Sequence, residues 1–66
     1  MELQIRQMMK RLRLLGYCRF EISNIVKEAI GTDNIDNLNF AHAKQIIRQL
    51  ALYEKMGLDY VNNYSK

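Results

Sequence analysis

The chain has 66 residues, 48% of them apolar and 26% charged, with a net charge of +3. That length suits one small domain, which buries only about 60% of the surface its unfolded form exposes, and it leaves no room for a deep catalytic cavity with a scaffold around it. Frequent Leu and Ile with a modest net charge exclude a disordered chain, and no apolar run of about 18 residues is present to span a membrane.

Residues 3–15 read LQIRQMMKRLRLL. Ile5, Met8, Met9, Leu12 and Leu15 recur at the spacing of one helix face, which predicts a first helix over residues 2–15 that ends at Gly16. Arg6, Lys10, Arg11 and Arg13 fall mostly off that stripe. Residues 1–19 carry five cations against the single acid Glu2, whereas residues 20–66 carry five against six. This asymmetry favours an anionic partner for the first helix. The same cations would also serve as a plain solvated face.

A second helix is predicted from about Arg19 to the residue before Gly31, with Phe20, Ile22, Ile25, Val26, Ala29 and Ile30 inward. The segment TDNIDNL follows, rich in Asp and Asn, whose side chains bond the local backbone and favour turns. Ile35 and Leu38 within it are expected to fold back onto the core. Asn39 is a candidate N-cap for a third helix running to about Met56, with Ala43, Ile46, Ile47, Leu50 and Tyr53 inward. Gly16, Gly31 and Gly57 each follow an apolar-periodic segment, where a left-handed C-cap is expected. Residues 58–66, LDYVNNYSK, read as a tail or a short extra helix. No strand pattern competes, so the expected fold is all-α, a compact three-helix domain over residues 1–57.

Groups suited to catalysis are sparse. Cys18 is the sole cysteine, which excludes an intramolecular disulfide and cannot by itself build a zinc site. A free thiol fits a reducing compartment. With no signal-peptide pattern at the start, a cytoplasmic location is expected, whether the chain is a whole gene product or a piece of one. Cys18 is expected to tuck against the start of the second helix, as small thiols often do. His42, the one histidine, falls in the first turn of the third helix and should be exposed; nothing in the spacing requires Cys18 and His42 to meet. Asp33 and Asp36, with Asn34 and Asn37 between and after them, superficially resemble a calcium loop. They lack its alternating ligands, central Gly and terminal Glu. No phosphate-binding Gly-rich loop, HExxH or GxSxG occurs. The expectation is a non-enzymatic protein without metal or cofactor.

Binding is better supported. Arg19 extends the basic patch of the first helix to the start of the second, and Lys44 and Arg48 form an i, i+4 basic pair on the third. Tyr17 beside Arg19 is a candidate for stacking on a base, or else a half-buried aromatic that closes the helix junction. The connection before the third helix, about eight residues, exceeds the three or four of a helix-turn-helix reader. Contact with phosphates without base readout is therefore expected. A second reading is a protein-docking adaptor, with the same cations meeting an acidic segment and Met1, Met8, Met9, Met56, Tyr53, Tyr60 and Tyr64 supplying residue types enriched at interfaces. An inhibitor of a host enzyme is a third. The width of the apolar stripes leaves self-association open.

The order of a basic amphipathic helix, a Gly, and an aromatic-led helix closing with IGTDNIDNLNFAHAKQIIRQL resembles the small helical domain of phage GemA-like regulatory proteins. It is also similar to C-terminal helical modules of phage recombination (single-strand annealing) proteins. The matching residues are Gly31, Leu38, Ile46, Ile47 and Leu50, within a stretch from about residue 5 to 57. Where those families often place an acidic or Thr N-cap before the third helix, this chain has Asn39 followed by Phe40. The resemblance implies DNA transactions in a phage or other mobile element, and no particular activity.

Overall fold

The computed structural model describes residues 2–35 and 38–64, and the side chains of all of these except Tyr64. Met1, Asp36, Asn37 and the Tyr64 side chain, singled out above, lie outside that description. Three helices follow in order: α1 (Glu2–Leu14), α2 (Arg19–Ile30) and α3 (Phe40–Tyr64). No strand occurs among the described residues. The fold is the expected all-α three-helix domain.

The core is built from the stripes read in the sequence. Ile5, Met8 and Leu12 of α1, Ile22, Ile25 and Val26 of α2, and Ala43, Ile46 and Leu50 of α3 are buried together. Met9, Leu15, Tyr17, Ala29, Ile30, Ile35, Leu38, Ile47 and Tyr53 pack around them, so the loop does fold back through Ile35 and Leu38. No polar or charged residue is buried among those described. The two short helices each lie against the long one and touch each other little. α3 is therefore the spine, and its 25 residues give the molecule its long axis of 42 Å.

Helix ends follow local chemistry. After Leu14 the chain closes a Schellman motif. The Tyr17 N–H donates to the Leu12 carbonyl and the Gly16 N–H to that of Arg13, each at 3.1 Å. This requires a left-handed residue at Gly16 (φ 110°), and it delivers Tyr17 to the core. α2 ends at a left-handed Gly31, whose N–H donates to the Lys27 carbonyl at 2.7 Å. α3 starts as expected: Asn39 Oδ1 accepts from the His42 N–H at 2.7 Å, satisfying a donor the first helical turn leaves unpaired.

Three expectations are corrected. Gly57 does not end the third helix, which runs on through residues 58–64. Gly57 is instead buried in mid-helix, where a Cβ would stand 3.1 Å from Tyr17 Cε2 and 3.3 Å from Leu15 Cδ1. The glycine is there for close approach. Phe20 is not inward but 74% exposed, because it precedes the buried Ile22 by two residues and so points to nearly the opposite side of the helix. Cys18 is exposed rather than tucked, because it occupies the N-cap of α2 in extended conformation.

Tyr17 locks the α1–α2 junction onto α3. Its hydroxyl donates to the Tyr53 carbonyl at 3.1 Å, and the two rings meet edge to face at 6.2 Å. The Tyr53 hydroxyl in turn donates to Glu28 Oε2 at 3.3 Å. The Glu28 charge first, and burial second, raise the Tyr53 phenol above its ordinary value. Tyr17→Phe keeps the ring packing and deletes one hydrogen bond to a carbonyl, so urea unfolding should show a loss of about 1 kcal/mol. An unchanged midpoint would mean the ring alone holds the junction.

Candidate nucleic-acid interface

The predicted cations separate into three groups once the helices are in place. Around α1, Arg6, Lys10 and Arg13 share one flank, as their i, i+4 and i, i+7 spacing requires. Arg11 lies on the other flank, where its Nε donates to Glu54 Oε2 of α3 at 3.1 Å. Arg11, expected among the contact residues, is thus engaged in an interhelical ion pair away from the flank that carries Arg6, Lys10 and Arg13. Lys44 and Arg48 are exposed on α3, turned away from its buried Ala43, Ile46 and Leu50. They do not join the α1 cations. Lys44 Nζ instead sits 5.3 Å from the centre of the Phe40 ring.

What the structure does bring together is Arg6 and Arg13 of α1 with Arg19 of α2. They line a cleft of about 440 Å³ between the two helices, with Met9, Ile22 and Ser23 as the remaining walls. The cleft exists because α1 and α2 pack on α3 more than on each other. Its lining joins the half-buried Met9 and buried Ile22 to three exposed arginines. Arg6 is bonded to Glu2 at 3.1 Å, an exposed i, i+4 pair that contributes only about 0.3–0.5 kcal/mol. A phosphate could readily take its place. Among the described residues, no ion pair engages Lys10, Arg13 or Arg19. Arg13 also lies in the last turn of α1, where the helix dipole favours a cation whatever else it does.

α2 is electrostatically two-sided. Arg19 and Ser23 face the cleft, whereas Glu21 and Glu28 line hollows on its other flank, toward Tyr17 and Tyr53. Glu21 closes half of a capping box: the Cys18 N–H donates to its Oε1 at 3.0 Å. That bond first, and one from the Cys18 thiol second, hold its carboxyl below the ordinary carboxylate range. A lowered folded-state value stabilises the fold above the unfolded pKa, and this is lost as pH falls through the folded value. The thermal midpoint of the wild type should therefore exceed that of Glu21→Gln at neutral pH, with the gap closing on acidification below the ordinary Glu range. A gap independent of pH would refute the ionic contribution.

Of the two readings of Tyr17, the structure shows the junction-closing one. Its ring and hydroxyl are engaged with Tyr53 and are not free to stack on a base. His42 is exposed, as expected. No group of three or more His, Cys, Asp or Glu side chains among the described residues could hold a metal ion. No helix among them is long and apolar enough to cross a membrane. No family model, curated protein or solved structure matches the chain.

Proposed function

We propose that the chain is a small non-enzymatic accessory module that contacts nucleic acid through the α1–α2 cleft, working in the phage or mobile-element DNA transactions to which its sequence resemblance points. The convergence of Arg6, Arg13 and Arg19 from two helices on one concavity carries this reading. A cleft lined by one sign of charge with low-dielectric walls concentrates the field and draws in polyanions. Lys10, on the same flank of α1, extends the positive track. Contacts of this kind position a backbone without reading bases. Non-specific affinity in the micromolar to 100 µM range is typical of them. Titrating labelled protein with a short single strand and a duplex at low salt tests the reading. Shifts confined to residues 6–23 are expected, and no affinity for either strand form would sink it.

The floor of the cleft supports a second reading, docking of an acidic amphipathic protein segment. The half-buried Met9 would hold an apolar side chain of it and the arginines its carboxylates. Salt separates the two. Phosphate contacts weaken steeply as salt rises, whereas an apolar grip does not.

A further inference from the structure

We propose that the cleft takes single-stranded nucleic acid, and that Phe20, at its α2 edge, is the ring on which an unstacked base rests. This rests on the reading above and narrows it. Phe20 directly follows Arg19 and lies one helical turn before Ser23, and both of these line the cleft. Its side chain is 74% exposed. A single exposed apolar residue needs no explanation, so what matters here is its place and the state of the other rings. Tyr17 and Tyr53 are occupied with each other, and Phe40 carries the Lys44 ammonium over its face. Among the described residues no ring or cation contact is made to Phe20. An exposed aromatic ring thus stands on the turn of α2 that carries Arg19 and Ser23, outside the cleft lining itself, and rings beside a cationic groove are how sequence-tolerant single-strand binders work.

The geometry favours a single strand over a duplex. Arg6, Lys10 and Arg13 span about 10 Å of α1 at roughly 1.5 Å per residue. A flexible strand can follow this track and still turn a base onto Phe20. A duplex keeps its bases stacked and paired, so it offers Phe20 no free base face.

The chain contains no Trp, so Phe20→Trp places a sole indole at the edge of the cleft. Wild type, Phe20→Trp and Phe20→Ala are titrated at low salt with a short oligothymidylate, a duplex of equal length and an oligoglutamate. Far-UV circular dichroism checks that the exposed-site variants fold. The indole emission should be quenched on adding the single strand, with affinity near that of the wild type. Phe20→Ala should bind the single strand about tenfold more weakly, with its salt dependence unchanged because no charge is removed. Equal affinity for Phe20→Ala with an unquenched indole would overturn the stacking inference and leave the cationic reading intact. Tighter binding of duplex or of oligoglutamate than of single strand would also overturn it. If the wild type binds neither nucleic acid, the reading under Proposed function fails, and this inference with it.

Discussion

Leu50→Ala is expected to abolish the cooperative fold at or near physiological temperature. Leu50 is fully buried in α3, the helix on which both others lie. Truncating a buried Leu costs about 2–5 kcal/mol in lost transfer energy and cavity formation. A core of this size supplies only about 3–5 kcal/mol of net stability, so the loss matches the whole. Leu52→Ala makes the same chemical change two residues away, at a side chain 51% exposed, and should stay within about 0.5 kcal/mol of wild type. Urea titration followed at 222 nm checks both. A sharp transition for Leu50→Ala near the wild-type midpoint would show that α3 is not the spine. Similar losses in the two variants would show that burial does not set the cost.

Much of this fold is legible in the sequence, and the exceptions have physical causes. The stripe from Ile5 to Leu15 and the run Ala43, Ile46, Leu50 declare their inward faces by spacing, and Asn39 and Gly31 punctuate helix ends by chemistry that acts within a few residues. Gly57 misleads because glycine serves both a left-handed cap and a close approach. The distinction lies in Tyr17 and Leu15, 40 and more residues away in the chain. One local sign was present: Tyr53, Gly57, Tyr60 and Tyr64 continue the helical spacing past the glycine without a proline to stop it. Phe20 illustrates the opposite case. Hydrophobicity suggested an inward side chain, but a two-residue offset from Ile22 already placed it on another face.

The site was legible as composition and not as geometry. Arg6, Lys10 and Arg13 share a flank by spacing alone. That Arg19 would stand across a cleft from them, and that Arg11 would turn to Glu54, depends on which side of α1 each neighbouring helix occupies. Sequence patterning does not specify that arrangement. The exposed Phe20 could replace Tyr17 as the stacking candidate only once the Schellman turn after α1 had carried Tyr17 into the α3 contact.

Replacing Arg13 and Arg19 together by Ala is expected to remove most single-strand affinity and to flatten its salt dependence. Each phosphate neutralised on a single strand contributes about 0.7 to the slope of log K against log salt. A footprint of Arg6, Lys10, Arg13 and Arg19 gives a wild-type slope of about −3, and the double variant should reduce its magnitude by about 1.4. Both side chains are exposed and make no ion pair with a described residue, so the fold should survive their loss, at the cost of the modest helix-dipole contribution of Arg13, about 0.3–1 kcal/mol. Two controls locate the footprint. Arg11→Ala should weaken the clamp to Glu54 slightly while leaving the slope in place. Lys44→Ala with Arg48→Ala removes as much charge as the cleft variant, from α3 residues that take no part in the cleft. If that pair flattens the slope as much as the cleft pair, binding follows the overall positive field and the cleft has no special part in it. If only the cleft pair does so, the two short helices form the interface and α3 serves as their support.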